Sequence, residues 1–298
     1  MRDQDGLAAA RVISVGRNAL WVAFEDSEEL HVASMRKGRE RVALVAGDLV
    51  AGRLLGDGRV LVVSREPRSF ALGRRTGGGR NKTMAANIDG IAIVSALADP
   101  PFHPAMVDEL LAFSELHEIE ASLLLTKPDL AGEEAREAIV TLYRGLGYRT
   151  LVLNPKAGTG IDTLERDFAE RHTLLIGQSG VGKSSIFRAL GGRSVVGDVS
   201  KIGRGRQTTS AGRLHRFERG FLIDSPGVSD FELHDLSAGE VAHGFVEFRP
   251  LLGKCRFTDC AHASEPGCAV RTAVDAGAIA ASRYGSYRAI LSRGRPSR

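Results

Sequence analysis

A glycine-rich segment in the second half of the chain constrains the possible folds most. Residues 177–184 fit the pattern G-x4-G-K-[ST], follow the apolar run TLLIG and precede a helical pattern at 183–192. In this context the glycines let backbone N–H groups surround a phosphate. We expect Lys183 to reach the β- and γ-phosphates as a catalytic residue, and Ser184 to ligate Mg²⁺. The predicted phosphate loop comprises Gly177, Gln178, Ser179, Gly180, Val181, Gly182, Lys183, Ser184 and Ser185.

Apolar runs and helical patterns alternate around this loop. The predicted strands are at 90–97, 121–127, 148–154, 173–177 and 220–225, and the predicted helices are at 104–117, 133–146, 161–171 and 183–192. Continuous apolar runs are typical of strands that are buried on both faces of a sheet. Their alternation with helices predicts a parallel α/β sheet.

The N-terminal part has a different pattern. Short segments rich in Val, Leu and aromatic residues lie at 11–15, 19–24, 29–34, 48–55 and 59–64, with a hairpin turn predicted at 56–58. Several short strands in so few residues predict a small barrel of OB or SH3-like type. We assign its aromatic residues Trp21 and Phe24 to the core rather than to base stacking. Residues 65–84 are basic and glycine-rich, and they predict a flexible linker.

A second motif, Thr126-Lys127-Pro128-Asp129, ends the predicted strand at 121–127 and resembles the N-K-x-D motif of GTPases. The Asp129 carboxylate can accept hydrogen bonds from the Watson–Crick edge of guanine, which would select GTP over ATP. The Lys127 stem can pack over the base. Thr126 departs from the usual Asn, so it lacks that amide. Residues 154–158 lie where a second base loop would fall, with a loose match.

Asp224-Ser225-Pro226-Gly227 follows the last predicted strand of the sheet. An Asp at a strand end beside a phosphate loop can hold Mg²⁺, directly or through water. The Gly227 amide could meet the γ-phosphate. Alone this pattern predicts only a turn, but beside a phosphate loop it indicates a magnesium site.

The three cysteines lie close together, in the spacing Cys255-x4-Cys260-x-His262-x5-Cys268. Three thiolates and an imidazole suit tetrahedral Zn²⁺, and a full set of four protein ligands leaves no open position for a substrate. An odd number of cysteines also argues against a disulfide framework. We therefore predict a structural zinc site.

Positive charge is concentrated in one stretch. Residues 36–82 hold twelve Lys and Arg against four acidic residues, a net charge of 12 − 4 = +8, and the tail from Arg283 holds five Arg and no acid. Such clusters suit a polyanion such as RNA or form a solvated surface. No apolar run approaches the roughly 20 residues that span a bilayer. The start of the chain lacks the apolar core of a signal peptide. We expect a soluble cytoplasmic protein with no membrane partner.

The order of the motifs is unusual, because the base motif precedes the phosphate loop. A circular permutation keeps the sheet while moving the chain termini. With this order the chain resembles the circularly permuted, ribosome-small-subunit-dependent GTPase family (RsgA, also called YjeQ or YloQ) over essentially its whole length. The resemblance implies an OB barrel at 1–69, a permuted GTPase domain at 70–230 and a mostly helical zinc domain at 231–298. It also implies late maturation of the small (30S) ribosomal subunit, contact with 16S rRNA, and GTP and GDP as ligands of a monomer.

Residues 203–209 resemble the family's first switch, in which a His usually precedes the Thr pair. Thr208 or Thr209 would complete the Mg²⁺ shell, and Gln207 stands where the family's water-orienting His would be. Val228 occupies the position at which many GTPases carry a water-orienting Gln. We expect slow intrinsic turnover, on the order of 10⁻⁴ to 10⁻² per second. A nucleotide-gated assembly factor with little hydrolysis and a phosphate-loop kinase are the alternatives.

Overall fold

The N-terminal strands close into a barrel with the order β1-β2-β3-β5-β4 in a computed structural model of the chain. The structure describes residues 6–16, 19–27, 29–35, 43–75, 81–191, 213–217, 219–224 and 236–293. The barrel strands are β1 (Ala8–Val15), β2 (Leu20–Phe24), β3 (Leu30–Met35), β4 (Leu49–Leu54) and β5 (Val60–Arg65). β3 and β5 run parallel, and the other neighbouring strands pair antiparallel. This is the OB-fold topology, so the OB form of the barrel prediction is confirmed.

Alternate side chains fill the barrel with small and branched apolar residues. The buried set is Ala10, Val12, Val22, Ala33, Leu44, Val50, Val60 and Val62. Phe24 packs against this core as expected, whereas Trp21 belongs to none of the hydrophobic clusters among the described residues. The assignment of Trp21 to the core was therefore wrong. Strand alternation places it on the outer side of β2, opposite the inward-facing Val22.

Much of the segment predicted to be a flexible linker is ordered. β6 (Ala71–Arg75) pairs antiparallel with β7 (Asn81–Ala86). The Arg68 guanidinium donates to the fully buried Asp48 carboxylate, with N···O distances of 2.6 and 2.8 Å. A buried carboxylate needs such a partner, so this basic residue is structural rather than solvated. The linker prediction was wrong for these residues, and the glycines at 77–79 lie outside the described residues.

The central unit contains a six-stranded sheet with the order β10-β9-β8-β11-β13-β12. Its strands are β8 (Gly90–Ala96), β9 (Glu120–Thr126), β10 (Arg149–Leu153), β11 (His172–Ile176), β12 (Arg213–Arg216) and β13 (Phe221–Asp224). Its helices are α1 (Pro104–Leu116), α2 (Glu133–Gly145), α3 (Ile161–Phe168) and α4 (Lys183–Ala189). All neighbouring strands are parallel except the edge pair of β12 and β13. The parallel α/β prediction is confirmed, and β12 is an addition to it.

Both faces of this sheet are buried, which explains the continuous apolar runs. Val94 and Leu124 pack with α3 and α4 on one face. Ile93 and Leu123 face the opposite side, in a cluster that includes α1 and the C-terminal helices. The cluster that contains Ile93 and Leu123 is therefore shared between the central unit and the end of the chain.

The C-terminal unit consists of α5 (Ala238–His243), α6 (Ala269–Asp275), α7 (Ala281–Arg293) and a short 3-10 turn (Arg249–Leu251). α7 packs along α1, and the fully buried Arg283 of α7 donates to the buried Asp108 of α1 at 2.7 Å. Arg283 also donates to Glu247 at 2.7 and 3.0 Å. Among the described residues, no helix is both long and apolar enough for a transmembrane span.

Candidate nucleotide site and metal centre

The phosphate loop leaves β11 at Gly177 and enters α4 at Lys183. A side chain at position 177 would lie 2.4 Å from the Val94 carbonyl oxygen, so only glycine fits there. Gly182 has φ +102°, a conformation that residues with a Cβ rarely adopt. Val181 is buried and anchors the middle of the loop. The strand–loop–helix context predicted from the sequence is present.

Lys183 begins α4, with Ser184 and Ser185 in the same first turn. The Lys183 ammonium group contacts the Gly177 carbonyl oxygen and donates to the Gln178 carbonyl oxygen at 2.8 Å. The side chain therefore curls over the loop, at the position from which it would meet a bound phosphate. Ser184 is exposed at this edge of the sheet.

Thr126 connects the base motif to the phosphate loop. It ends β9 and is almost fully buried, and its hydroxyl donates to the Val181 carbonyl oxygen at 2.5 Å. The same hydroxyl lies 3.4 Å from the Ser95 carbonyl oxygen. Thr126 thus ties the two loops together, although its lack of an amide had suggested only a weaker base contact. The sequence carried no signal for this bond, because the two residues are 55 positions apart.

Asp129 is exposed in the 3-10 turn Pro128–Leu130, directly after β9. One carboxylate oxygen accepts a hydrogen bond from the Asn154 amide at 3.1 Å. Asn154 follows the neighbouring strand β10 and is held by backbone bonds in both directions with Thr159, at 3.0 and 3.1 Å. Lys127, in the left-handed conformation with φ +55°, contacts the Asp99 carbonyl oxygen through its ammonium group. The loosely matching second base loop therefore lies beside the base motif.

Asp224 ends β13 at the same edge of the sheet. Its neighbour Ile223 pairs with Leu174 of β11, two residues before that strand ends. The carboxylate of Asp224 is thus carried to the edge at which the phosphate loop begins. The predicted residues Gly227, Gln207, Thr208 and Thr209 lie outside the described residues.

Three sulfurs and one imidazole form a compact cluster in the C-terminal unit. The ligand atoms of Cys255, Cys260, His262 and Cys268 all lie within 4.8 Å of one another. The His262 Nδ1 atom is 3.4 Å from the Cys255 sulfur and 3.5 Å from the Cys268 sulfur. The two sulfurs are 3.9 Å apart. Tetrahedral Zn²⁺ with Zn–S bonds of about 2.3 Å separates its sulfur ligands by about 3.8 Å, so the donor set fits that ion.

The surroundings of the cluster also suit a cation. The backbone N–H of Ala269 lies 3.3 Å from the Cys255 sulfur, which favours a thiolate. Burial lowers the pKa of His262, so the neutral imidazole needed by a metal is available. Desolvation works to raise the pKa of Glu265, but backbone N–H groups of the loop outweigh it and lower that pKa to about 2. These bonds order the loop that carries the ligands.

Comparisons with known proteins agree with this geometry. The model of the RsgA GTPase family matches residues 65–234. A protein of Chromohalobacter salexigens named small ribosomal subunit biogenesis GTPase RsgA is 43% identical over 290 residues, covering 94% of this chain and 84% of the relative. A relative of the same name from Pseudomonas putida is 41% identical over 257 residues, covering 84% of this chain and 75% of its own.

Two solved structures share the architecture. The crystal structure of YjeQ from Thermotoga maritima aligns with a TM-score of 0.70 at 27% identity, covering 97% of this chain and 100% of that chain. The structure of YloQ, a circularly permuted GTPase, aligns with a TM-score of 0.69 over the full length of both chains. At 23% identity the second likeness concerns the fold alone. On the family model and the extent of these relatives, the chain belongs to the RsgA family of circularly permuted GTPases.

Proposed function

We propose that the chain binds guanine nucleotides at the common edge of β9, β10, β11 and β13 and hydrolyses GTP there. The observation that carries this proposal is the Thr126–Val181 hydrogen bond of 2.5 Å, which holds the base motif and the phosphate loop in one frame. In this proposal Asp129 accepts the donors of guanine, the Lys127 stem covers the base, and residues 177–185 surround the phosphates.

Magnesium would be held between Ser184 and Asp224, which the fold brings to the same edge. The ion would neutralise the β- and γ-phosphates, and Lys183 would add a second positive charge. We further propose that Thr208 or Thr209 completes the magnesium shell, that Gly227 meets the γ-phosphate, and that Gln207 orients the attacking water. Residues 207–209 and Gly227 lie outside the described residues. The support for these roles is therefore the order of the motifs and the membership of the family.

We propose that the partner is the small ribosomal subunit, through 16S rRNA, and that nucleotide hydrolysis accompanies late maturation of that subunit. The names of the relatives from Chromohalobacter salexigens and Pseudomonas putida support this partner. We also propose that the protein works as a monomer in the cytoplasm. Hydrolysis would release the switch and with it the subunit.

Zinc is proposed as a structural ion of Cys255, Cys260, His262 and Cys268. We also propose the division into an OB barrel at 1–69, a GTPase domain at 70–230 and a zinc domain at 231–298. Support comes from the closed barrel and from the match of the family model over residues 65–234, which overlaps the second of these ranges.

The base site is tested by the substitution Asp129→Asn, with GTP, ATP and xanthosine triphosphate as ligands. Each hydrogen bond to a charged group contributes about 1.5–3 kcal/mol, so GTP affinity should fall by about tenfold or more. Xanthosine triphosphate, which carries an oxygen in place of the guanine amino group, should bind the variant better than the parent. Unchanged GTP binding in the variant would refute the assignment of Asp129.

The role of the ribosome is tested by GTP hydrolysis with and without purified small subunits, using Lys183→Ala as the control without phosphate contact. We expect strong stimulation in the parent and little hydrolysis in the control. Val228 and Gln207 favour one alternative, a nucleotide-gated assembly factor with little hydrolysis. Tight GTP binding without stimulation would support that alternative.

A further inference from the structure

The three cysteines of the proposed zinc site differ in their access to solvent. Cys255 and Cys260 are partly exposed, whereas Cys268 is only 3% exposed. A cavity of about 190 Å³ lies beside the site, and its walls include Cys255, Cys260 and His262. One water molecule needs about 10–15 Å³ of such volume, so the cavity has room for a small polar molecule beside Cys255.

Cys255 and Cys268 are brought together by the backbone on either side of them. The Arg256 N–H donates to the Gly267 carbonyl oxygen at 3.0 Å. The Ala269 N–H donates to the Cys255 sulfur at 3.3 Å. Gly267 has φ +72°, and a side chain there would lie 2.9 Å from the Arg256 β-carbon, so glycine permits this close approach. The backbone therefore holds the two cysteines side by side in the folded chain.

The distance between the sulfurs of Cys255 and Cys268 suits the formation of a disulfide. The sulfurs are 3.9 Å apart, and an S–S bond is about 2.05 Å long, so they need to approach by about 2 Å. Rotation of the two side chains can supply a shift of this size. Cys255 therefore combines access from the cavity with a second sulfur that is close enough to form a bond. Disulfides of cytosolic proteins are usually transient and redox-sensing or catalytic.

We propose that Cys255 and Cys268 form an oxidation site, at which a peroxide that enters the cavity converts two zinc ligands into a disulfide. The Cys255 thiolate attacks one oxygen of the peroxide, the O–O bond breaks, and hydroxide leaves, so that Cys255 becomes a sulfenic acid. The Cys268 thiolate then attacks the Cys255 sulfur, the S–O bond breaks, and a second hydroxide leaves. The two sulfurs lose two electrons in total, and the peroxide gains them.

This inference rests on the zinc site proposed above and is independent of the nucleotide site. Oxidation leaves only Cys260 and His262 as ligands, whereas structural zinc takes four. The two remaining side chains cannot retain the ion, which is released. The change is reversible, because a reducing thiol restores both thiolates and with them the ligand set.

The effect of oxidation extends to α7 through the loop that carries the ligands. The Tyr284 hydroxyl of α7 donates to the His262 carbonyl oxygen at 2.8 Å, and the Tyr287 hydroxyl donates to the Ala261 carbonyl oxygen at 2.7 Å. α7 in turn packs along α1. Loss of the ion removes the bonds that order this loop, so we expect peroxide to lower the melting temperature of the chain by as much as a chelator does.

The test treats the zinc-loaded full chain with hydrogen peroxide, after the zinc content of the untreated chain has been measured. Released zinc is followed with a chelating dye, and peptide mass spectrometry after alkylation of the remaining thiols identifies the disulfide. We expect zinc release to follow the same time course as formation of the disulfide between Cys255 and Cys268, with Cys260 alkylated. Dithiothreitol with added zinc should restore the melting temperature of the untreated chain.

Two glycine substitutions test access through the cavity without changing a ligand. Among the described residues, nothing apart from neighbouring backbone lies within 4 Å of a β-carbon added at Gly239 or Gly285. Gly239 lines the cavity, so Gly239→Leu should narrow it and slow zinc release several-fold. Gly285 is exposed on α7, so Gly285→Leu is the matched control and should release zinc at the rate of the parent. In Cys268→Ser, peroxide should leave a Cys255 sulfenic acid that dimedone traps.

A disulfide that includes Cys260, or peroxide treatment that releases no zinc from the loaded chain, would overturn the proposal. Equal rates of zinc release in the parent and Gly239→Leu would overturn entry through the cavity. A purified chain that binds no zinc would refute the zinc assignment and this inference with it. Zinc that is bound but resists peroxide would refute the inference alone, so the two failures give different results.

Discussion

The central unit is joined to its two neighbours in different ways. The C-terminal unit shares a hydrophobic cluster with α1, and Arg283 is buried between Asp108 and Glu247. Among the described residues, the barrel contributes only two buried side chains to the same cluster, Ile13 and Ala23, and its Arg11 guanidinium lies 4.4 Å from the centre of the Phe221 ring. Because fewer buried apolar residues join the barrel, we expect it to separate from the central unit at a lower cost in free energy than the C-terminal unit does.

The barrel and the C-terminal unit also contact the central unit at different places. Arg216, the last residue of β12, donates to the Phe24 and Ser27 carbonyl oxygens of the barrel at 2.8 and 3.0 Å. The first residue of β12, Arg213, pairs with Asp224 at the sheet edge that carries the proposed nucleotide site, which we call the nucleotide edge. The short strand β12 therefore joins the nucleotide edge to the barrel. The C-terminal unit is fixed to α1, on one face of the sheet.

Removal of the proposed zinc ion should have the largest effect, and this effect should be confined to the C-terminal side. Binding energy of a structural metal is also folding energy, and the Tyr287 hydroxyl of α7 donates to the Ala261 carbonyl oxygen of the ligand loop at 2.7 Å. We expect a chelator to lower the melting temperature by at least about 5 °C. Hydrogen exchange should show lost protection in α7 and α1 but not in the barrel. In a Cys268→Ala control the chelator should have no further effect on the melting temperature. An equal loss of exchange protection in the barrel would contradict the difference proposed between the barrel and the C-terminal unit.

Arg283→Ala should be the most destabilising of the single substitutions considered. Its loss leaves the fully buried Asp108 and the partly buried Glu247 without their arginine partner, which costs about 3–5 kcal/mol in the free energy of unfolding. Burial raises the pKa of Asp108, and the carboxylate relies on Arg283 and Tyr143 for compensation. Denaturant titration measures the change.

The matched control for Arg283 is Arg249→Ala. Arg249 pairs with Glu115 of α1 across the same joint, but both side chains are partly exposed. Such a pair contributes about 1 kcal/mol or less. Similar losses in the two variants would show that burial does not determine the strength of this joint.

Arg11→Ala should loosen the barrel at a smaller cost. The substitution removes the ion pair with Glu25, the hydrogen bond to the Gly47 carbonyl oxygen and the contact with Phe221. The bonds to Glu25 and Gly47 lie within the barrel and contribute about 1.5–3 kcal/mol each to its stability, whereas the lost contact with Phe221 should appear as greater mobility of the barrel. Small-angle scattering should give a larger radius of gyration, while α7 keeps its exchange protection. Arg11→Lys keeps the charge but not the planar group, so its radius of gyration should lie between those of the parent and Arg11→Ala.

The smallest effect should be a pH dependence at the barrel joint. Burial lowers the pKa of His172, with Arg11 adding to the decrease while Asp89 and Glu25 oppose it. The unfolded chain, with a His pKa of about 6.5, therefore takes up the proton first as the pH falls. The stability contributed by neutral His172 is complete above this value and declines as the pH falls from 6.5 toward the lower folded pKa. His172→Gln should reduce the loss of stability between pH 7 and 5; an unchanged profile would assign that loss to other titrating groups.

The elements that were predicted from the sequence have local signals, whereas those that were missed depend on contacts with distant parts of the chain. The parallel strands and the phosphate loop were predictable because apolar runs and glycines are local signals. β12 was missed because the sequence Arg-Leu-His-Arg is short and polar, and its place depends on pairing with β13. The hairpin at 71–86 was missed because basic residues beside glycines usually indicate a solvated linker.

Burial of polar residues is the second limit of prediction. Arg283 lies in an Arg-rich tail that was expected to be solvated surface or an RNA contact, yet its guanidinium is fully buried. Trp21 was assigned to the core because aromatic residues of small barrels are usually buried, and only the register of β2 shows which way it points. The Asn154–Asp129 and Thr126–Val181 bonds join distant parts of the chain, so no local pattern could indicate them.

The permuted order of the strands also sets the order in which the nucleotide site is made. During synthesis β8, β9 and β10 are complete before β11 and β13 exist, and chains fold from the N-terminus as they grow. Asp129 is therefore in place while the partner of Thr126 on the phosphate loop is still unsynthesised. The central strand β8 pairs with β11 on its second edge, so that edge stays open until residue 176 has been added. We therefore expect GTP to act on the finished chain and not on the early steps of its folding.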